Sequence, residues 1–316
     1  MNKIDLSILI VCWKSREDIV ACLDSVREHT HKTAYEVLLV NNSDDDLEGF
    51  IAQQYPWVRV IENDQNLGFA AGNNRLAQDA QGEYLLLLNP DTWHDGPAID
   101  RLMDYARSTP DGGLWGGVTR LPDGNIDPGC NQCLPTLCNA LLQNLKLGRF
   151  CWRGPARDQT FEAEVPVISG AYMLARTSAW REIDGFDPTF VMYSDEADLC
   201  TRMRRAGHKI YMTSKSTITH NVGSGQPDNP GRLAARARGR MTYFRKHAGA
   251  FTTTLIGVMI WLRFLVRWLA MKVRRSPLAA GQGVLWKRPG QWWGGWAKQQ
   301  DNAVRDRSTA CTSINA

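Results

Sequence analysis

The chain has 316 residues, of which 43% are hydrophobic and 22% are charged. This composition excludes an intrinsically disordered protein, and the length suffices for one large domain or for a domain with an appendage. The net charge of +4 is unevenly distributed, because residues 229–300 contain 14 Lys and Arg and no Asp or Glu. The sequence therefore predicts an acidic body and a basic region that meets an anionic surface.

The eight cysteines are too sparse for a disulfide-rich secreted domain, so we predict free thiols in a reducing cytosol. Cys130 and Cys133 form a CxxC, but a zinc site would need a second close pair at the right spacing. The apolar run at residues 6–12 is short and no small-residue cleavage site follows it. A first buried strand is therefore favoured over a signal peptide.

The first half of the chain alternates short apolar segments with helical patterns. Strands are predicted at residues 6–12, 36–40, 58–61 and 84–88. A helix with a capping box at Ser15 follows the first strand, and another helix begins near Phe69. Apolar strands alternating with helices indicate a parallel sheet covered on both faces, and ligands bind such sheets beyond the carboxyl ends of the strands.

Asn89-Pro90-Asp91 lies at the end of the most apolar predicted strand. Proline cannot continue a central ladder, so the strand stops there and Asp91 is presented at the edge where ligands bind. The alternative is an ordinary turn in which Asp91 caps the next helix. Residues 110–165 contain scattered Gly, Pro and Cys and are predicted to form an irregular insertion on the substrate side. A strand pair or one long strand is predicted at residues 165–176.

Three acids, Asp195, Glu196 and Asp198, crowd the first turn of a helix predicted to run from Asp195 to about Ala206. Acids in a first turn favour the helix dipole, which is a sufficient structural explanation. Their mutual repulsion would also raise at least one carboxyl pKa, as a general base requires. His220 ends an alternating, strand-like segment. It is either a partly buried polar residue or, paired with Asp91, a ligand of Mn²⁺ or Mg²⁺.

Taken together, these segments resemble the inverting, nucleotide-sugar-dependent glycosyltransferases of family 2, and in particular the rhamnosyltransferase-like branch. The segments that carry the resemblance, in the family's order, are EVLLVNNS (36–43), NLGFAAGNN (66–74), LLLLNPDT (85–92), SGAYMLAR (169–176), GFDPTFVMYSDEADLCTR (185–202) and ITHNVG (218–223). They cover roughly residues 6–247. The resemblance implies the GT-A fold, an α/β fold with a Rossmann-like, mostly parallel sheet.

The resemblance also implies roles for individual residues. Asp91 would hold the divalent cation, Mn²⁺ or Mg²⁺, that bridges the donor diphosphate, and His220 would lie beside the metal. Asn89 stands where many members have Asp, which leaves one fewer charge for the metal. Glu196 takes the position of the catalytic base. Asp195 is its rival, because the family's Glu-Asp pair is inverted here.

Further donor-binding positions follow from the same resemblance. They are Asn41, Asn42, Asn66, Gly68, Phe69, Gly72 and Asn74. Asn41 replaces the acid with which the family reads the nucleobase, and an amide oxygen can still accept the N3–H of a base. The glycines let the backbone approach the donor, and a helix N-terminus favours phosphate.

The segment after residue 250 predicts an amphipathic helix that lies in a membrane interface. The uninterrupted apolar run Leu255–Leu262 is too short to span a bilayer, and two arginines one turn apart follow it. Trp261 and Trp268 are expected at headgroup depth, with the basic residues against anionic lipid. The alternatives are packing on the catalytic domain or a dimer contact. The region matches no nucleic-acid recognition module.

The predicted organisation is a catalytic domain at residues 1–228 with an acceptor-side insertion at 110–165, a basic amphipathic helical region at 229–300, and a disordered polar tail at 301–316. The predicted function is transfer of rhamnose from dTDP-rhamnose, or of a hexose from a UDP or GDP donor. The acceptor is a lipid-linked glycan or polysaccharide of the bacterial surface. The expected location is cytoplasmic, peripheral on the inner face of the membrane.

Two other classes of function are alternatives to this prediction. The first is a non-catalytic scaffold of the same fold in a polysaccharide assembly complex. The second is a Rossmann dehydrogenase, which is excluded because GFAAG lacks the G-x-G-x-x-G spacing and follows the third strand, not the first.

Overall fold

A computed structural model of the chain describes residues 3–61, 63, 65–144, 160–222, 230–275 and 279–296. The chain divides into two compact units. The first unit contains residues 1–134, 153–187 and 198–224, and the second contains residues 135–152, 188–197 and 225–316. The predicted disordered tail at residues 301–316 lies outside the described residues, as does part of the predicted insertion.

A nine-stranded mixed sheet forms the centre of the first unit in the described part of the chain. Its strands are β1 (Leu6–Cys12), β2 (Tyr35–Asn41), β3 (Val58–Ile61), β4 (Tyr84–Leu88), β5 (Thr92–Trp93), β6 (Gly112–Arg120), β8 (Glu162–Glu164), β10 (Tyr172–Arg176) and β11 (Lys209–His220). The order is β3-β2-β1-β4-β10-β6-β11-β5, and β8 pairs with β11. The first four strands in this order are parallel, and β10 is antiparallel to both of its neighbours. Two short strands, β7 (Asn131–Gln132) and β9 (Val167–Ile168), form a separate ribbon.

Helices follow the strands in the order that the apolar pattern predicts. Those of the first unit are α1 (Asp18–His29), α2 (Leu47–Gln54), α3 (Gly68–Asp79), α4 (Ala98–Ser108) and α6 (Thr177–Glu182). Helix α7 (Asp195–Arg205) begins in the second unit and ends in the first. The second unit contains α5 (Leu137–Asn144), α8 (Pro230–His247), α9 (Ala250–Val273) and α10 (Ala279–Lys287).

The core of the first unit is built from strands that are buried on both faces. All five residues of β4 are buried, and Leu85, Leu86 and Leu87 are fully inaccessible to solvent. Each such side chain contributes about 1.5–3 kcal/mol through removal of apolar surface from water. This burial explains why β1 and β4 have the predicted bounds; β3 also has the predicted bounds, although only Val58 and Ile61 of its residues are buried.

Strand β6 corrects the prediction that the chain is irregular from residue 110. Its sequence, GGLWGGVTR, is misleading because glycine is disfavoured in strand interiors. Here the glycines provide space: a Cβ at Gly117 would lie 2.6 Å from the carbonyl oxygen of Ser216, and one at Gly113 would lie 2.7 Å from Cβ of His208. The strand pairs with β10 and β11, and so brings β11 into the sheet.

The segment at residues 165–176 contains two strands, as one of the two predicted alternatives has it, but these strands do not pair with each other. β9 pairs with β7, whereas β10 joins the central sheet between β4 and β6. In the second unit, α9 has 24 residues. It is therefore longer than the apolar run Leu255–Leu262, which by itself is too short to span a bilayer. By length and composition alone it could cross a membrane, with a mean hydropathy of 1.6 over its most apolar part.

Candidate active site

The turn after β4 is fixed by three hydrogen bonds to backbone carbonyl oxygens. Asn89 N–H donates to the carbonyl oxygen of Ala171 at 3.0 Å, and Thr92 Oγ1 donates to the carbonyl oxygen of Asn89 at 2.7 Å. Asn221 N–H donates to the carbonyl oxygen of Asp91 at 2.8 Å. Helix α4 begins only at Ala98 after Pro97, so Asp91 does not cap it.

Asp91 and His220, which are 129 positions apart in the sequence, lie side by side. Antiparallel pairing of β5 with the end of β11 places Thr92 opposite His220. Asp91 Oδ1 is 3.3 Å from His220 Nε2, and Asn89 Nδ2 is 3.4 Å from the same nitrogen. The side chain of Asp91 is 27% exposed, so it is accessible to a ligand. The structure therefore brings together all three residues predicted near the metal.

The second nitrogen of His220 contacts a carboxylate that the sequence analysis did not identify. His220 Nδ1 lies 3.3 Å from Oδ2 of Asp127, which also accepts a 2.7 Å hydrogen bond from Gly129 N–H through its other oxygen. Burial alone would lower the pKa of His220, but hydrogen bonds to Asp127 and Asp91 and their charges raise the pKa to about 9. Burial alone would raise the pKa of Asp127, but its hydrogen bonds, first of all that with His220, lower it.

Asp91 and His220 fit a divalent cation that is shared with a ligand. A carboxylate oxygen and an imidazole nitrogen suit Mn²⁺, and Asp127 orients the ring from its far side as a metal-bound histidine requires. Among the described residues no group of three or more His, Cys, Asp or Glu is placed to hold a metal ion. Sites with one or two protein ligands are typical of cations whose coordination is completed by substrate phosphates and water.

The raised pKa of His220 predicts how the stability of the metal-free protein depends on pH. Because the folded-state pKa of about 9 exceeds the ordinary value of 6.5, the imidazolium stabilises the fold fully below pH 6.5. This contribution, about 3 kcal/mol, is lost as the pH rises through about 9. Urea unfolding in the presence of a chelator, at about pH 6 and about pH 10, should show this loss in the wild type. His220→Gln should lack it, and equal pH slopes for both proteins would contradict the assignment.

Asp18 adds another carboxylate at the same edge of the sheet. Burial, and then the negative charge of Asp91, raise the pKa of Asp18, and its side chain is hydrogen-bonded to Asn221. From the sequence, this segment is predicted only to form a capping box at Ser15. That box does not form, because Ser15 Oγ donates to the carbonyl oxygen of Trp13 and the N-cap residue Glu17 makes no side-chain cap.

The predicted donor loop is organised by Asn42 and Asn66. Asn42 Oδ1 accepts from Leu67 N–H at 3.1 Å, and its amide group donates to the carbonyl oxygen of Gly68 at 3.2 Å. Asn66 Oδ1 accepts from Gly68 N–H at 2.8 Å. Gly68 has φ of 75°, a conformation that favours glycine, and it starts α3. These contacts join the end of β2 to the start of α3, and the Phe69 ring lies 5.6 Å from that of Phe186.

Two other predicted donor-binding residues, Gly72 and Asn74, make contacts within the protein. A Cβ at Gly72 would lie 3.0 Å from Val11 Cγ1, so Gly72 allows α3 to pack closely on the sheet. The Asn74 amide both donates to the carbonyl oxygen of Phe186, at 2.7 Å, and accepts from its N–H, at 2.9 Å. The contacts of Gly72 and Asn74 are thus with other parts of the protein and give no support to a donor-binding role.

Asn41 is likewise occupied by its own turn. Its Oδ1 accepts from the N–H of Ser43 at 3.1 Å and from the Ser43 hydroxyl at 2.7 Å, while its amide nitrogen donates to Asp45. An amide oxygen has two lone pairs, and both are used. To read a base, the Asn41 amide oxygen would have to exchange one of its Ser43 partners, and its contact with the nucleobase stays a prediction.

The acid pair Asp195-Glu196 opens α7 and belongs to the second unit. Tyr193 and Ser194 before it have φ of 65° and 67°, which costs about 1–3 kcal/mol per residue. Asp195 is almost completely buried, and burial together with the neighbouring Glu196 holds its pKa well above its usual range. The expected repulsion thus acts on Asp195, while Glu196 is the more exposed of the two.

Asp198, the third acid of the predicted cluster, has a structural contact. It is fully buried and its Oδ2 accepts from Arg202 Nε at 2.7 Å. Arg202 also donates to the carbonyl oxygen of Ile183 at 2.7 Å. Asp198 is therefore buried in an ion pair inside the protein, which is a structural contact and not a contact with a ligand.

Known proteins that are similar to this chain include glycosyltransferases. The family described as glycosyl transferase family 2 matches residues 7–149. An N-acetylglucosaminyl-diphospho-decaprenol L-rhamnosyltransferase of Mycobacterium tuberculosis (strain CDC 1551 / Oshkosh) is 29% identical over 283 residues, which are 83% of this chain and 88% of that protein. Rhamnosyltransferase WbbL of Escherichia coli (strain K12) is 24% identical over 184 residues, which are 56% of this chain and 69% of WbbL.

A solved structure extends the comparison to the fold. Mannosyltransferase PcManGT from Pyrobaculum calidifontis, in complex with GDP-Man and Mn²⁺, is similar with a TM-score of 0.55 at 14% identity. The similarity covers 98% of this chain and 79% of that one. Residues 7–149 thus match a glycosyl transferase family 2 domain, and the structure has the GT-A glycosyltransferase fold. Both findings agree with the glycosyltransferase and the fold class that the sequence predicts.

Proposed function

We propose that the chain transfers rhamnose, with inversion, from dTDP-rhamnose to a lipid-linked or polysaccharide acceptor of a bacterial surface glycan. The observation that carries this proposal is the contact between Asp91 and His220 at the carboxyl end of β4, oriented by Asp127. Relatives with rhamnosyltransferase names support the choice of sugar. The reaction takes place in the cytoplasm, at the inner face of the cell membrane.

The leaving group determines what the site must do. Breaking the bond between the anomeric carbon and the diphosphate leaves negative charge on the phosphate oxygens, which must be neutralised. Asp91 and His220 would hold a divalent cation, Mn²⁺ or Mg²⁺, that supplies this neutralisation. Asn89 contributes no charge to this site, so the diphosphate itself would contribute much of the negative charge that retains the cation.

The acceptor determines the other requirement. Its hydroxyl must lose a proton as it attacks the anomeric carbon from the side opposite the diphosphate. Glu196 accepts this proton. Burial and the neighbouring Glu196 hold the pKa of Asp195 well above its usual range, and Glu196 is the more exposed of the two acids. The N–H groups of Leu67 and Gly68 are already donated to Asn42 and Asn66, so the backbone N–H groups for the donor come from the first turn of α3 after Gly68.

A screen of donors tests the proposal. The melting temperature of the protein is measured with dTDP-rhamnose, UDP-glucose and GDP-mannose, each with and without Mn²⁺. A donor at 100 times its Kd stabilises the fold by about 2.7 kcal/mol. We expect the largest rise with dTDP-rhamnose and Mn²⁺ together. A larger rise in melting temperature with UDP-glucose or GDP-mannose would mean that this hexose, and not rhamnose, is the sugar transferred. No rise and no turnover with any donor would favour a non-catalytic scaffold.

A further inference from the structure

Helix α9 is apolar on two opposite faces. One face is buried within the second unit and consists of Thr253, Ile256, Gly257, Ile260 and Phe264. The other face is exposed and consists of Phe251, Val258, Leu262, Val266, Leu269 and Val273. Spacings of three, four and seven residues place the exposed set on one side of the helix, and we call these six residues the α9 stripe.

The α9 stripe is unusual for a helix at the surface of a globular protein, which is polar on its outer side. Phe251 is 82% exposed and Val273 is 84% exposed at its two ends. At 1.5 Å per residue the stripe is about 33 Å long. A continuous apolar surface of this extent marks an interaction site.

The two tryptophans expected at headgroup depth lie elsewhere. Trp261 Nε1 donates to the carbonyl oxygen of Trp286 at 2.9 Å, and the Trp268 ring lies 5.0 Å from that of Trp286. They therefore pack between helices of the second unit. The surface available for lipid is the α9 stripe, whose one aromatic residue is Phe251.

Exposed basic residues lie at the C-terminal end of α9, next to Val273, and at the end of α10, and we call them the basic border. They are Lys272, Arg274, Arg275, Lys287 and Arg288, and all five are exposed. Residues 229–300 contain no Asp or Glu, so a second copy of this region would offer no carboxylate to these cations. An apolar strip bordered by cations complements acyl chains beneath anionic headgroups.

The contacts of α9 also indicate its orientation in a bilayer. A Cβ at Gly257 would lie 2.8 Å from the Trp293 ring, and the Phe264 ring lies 5.5 Å from that of Trp292. A helix that spans the bilayer alone would have to lose this packing. A helix that lies in the interface keeps it and buries only the α9 stripe.

We propose that the α9 stripe and its basic border dock the protein on an anionic bilayer, with α9 in the plane of the headgroup–acyl boundary. This rests on the proposed function, because a lipid-linked acceptor is presented at that surface. Docking would concentrate the enzyme where its acceptor is confined, and would do so through residues that take no part in the transfer step.

Vesicle binding of the full-length protein tests the proposal. Sedimentation with vesicles of phosphatidylcholine alone is compared with vesicles that contain about one third phosphatidylglycerol. We expect the wild type to bind the anionic vesicles at least tenfold more tightly. The triple variant Leu262→Gln/Val266→Gln/Leu269→Gln should lose at least tenfold of this binding. Leu141→Gln, which changes a leucine of similar exposure in α5, should bind as the wild type.

A second variant tests the basic border. Arg274→Gln/Arg275→Gln should lower binding to anionic vesicles by about fivefold per charge and leave binding to neutral vesicles unchanged. Unchanged melting temperatures in solution show that the variants fold, since the replaced side chains are exposed.

Three results would overturn the proposal: wild-type protein that ignores anionic vesicles, a triple variant that binds them normally, or a triple variant that changes only from dimer to monomer. Turnover with a water-soluble acceptor is measured in parallel. Vesicle binding without turnover would refute the proposed function alone, and turnover without vesicle binding would refute the docking surface alone.

Discussion

Asp91→Asn is expected to lower kcat/KM for transfer by about 10²–10³. The substitution keeps the size of the side chain but removes the charge that faces His220 Nε2 at 3.3 Å. It thereby weakens the hold on the cation and the neutralisation of the departing diphosphate. Raising the Mn²⁺ concentration should restore part of the activity, because the remaining imidazole and the diphosphate still provide ligands.

Asp95→Asn is the matched control for Asp91→Asn. It makes the same chemical change four residues further along, at an exposed carboxylate that lines a different groove with Arg101 and Arg120. Its kcat/KM and metal requirement should remain those of the wild type. If Asp91→Asn retained most of its activity at low Mn²⁺, or if Asp95→Asn lost as much as Asp91→Asn, the assignment of the metal ligand would be wrong.

Glu196→Gln is expected to lower kcat for transfer by about 10²–10⁴, the usual contribution of a positioned general base. The amide keeps the shape of the side chain but cannot take the proton of the acceptor hydroxyl. The rise in melting temperature with donor and Mn²⁺ should be unchanged, because the acid pair is assigned to the acceptor and not to the diphosphate.

Asp195→Asn distinguishes the two acids of the pair. Burial and the neighbouring Glu196 hold the pKa of the Asp195 carboxyl well above its usual range, so the uncharged amide of asparagine is a close substitute in this buried position. This variant should retain far more activity than Glu196→Gln. The reverse order, with Asp195→Asn inactive and Glu196→Gln active, would make Asp195 the base.

The sequence was most informative where burial is uniform. β4 and β1 are inaccessible on both faces, so their apolar runs begin and end with the strands. Asp91 and His220 each stand at the end of a strand-like segment, and parallel and antiparallel pairing at one sheet edge brought them together. Their positions at strand ends, together with the family resemblance, were the basis for expecting them near one another.

Contacts that depend on tertiary geometry could not be anticipated. Asp127 lies in an Asp-Pro-Gly turn 93 residues from His220, and its only local signal is turn chemistry. β6 could not be predicted because its glycines disfavour a strand, and only the structure shows that they leave room for neighbouring groups. Amides such as Asn41 and Asn74 have the same sequence signal whether their partners are a ligand or the protein backbone, and here the partners are Ser43 and Phe186.

The helical region shows the same limit. The apolar and basic composition of residues 229–300 is visible in the sequence, but the face that α9 buries is decided by contacts with Trp286, Trp292 and Trp293. These contacts occupy the tryptophans and leave the α9 stripe exposed. Helical periodicity alone could not choose between the two sides, since both are apolar.

Release of nucleoside diphosphate from the sugar donor measures the central claim most directly. It is followed for the wild type, Asp91→Asn and His220→Gln, each with Mn²⁺ and with a chelator. We expect release by the wild type only with metal, and release reduced by about 10²–10³ in both variants. Release that is equally fast with the chelator, or equally fast in the variants, would show that Asp91 and His220 do not hold a catalytic cation.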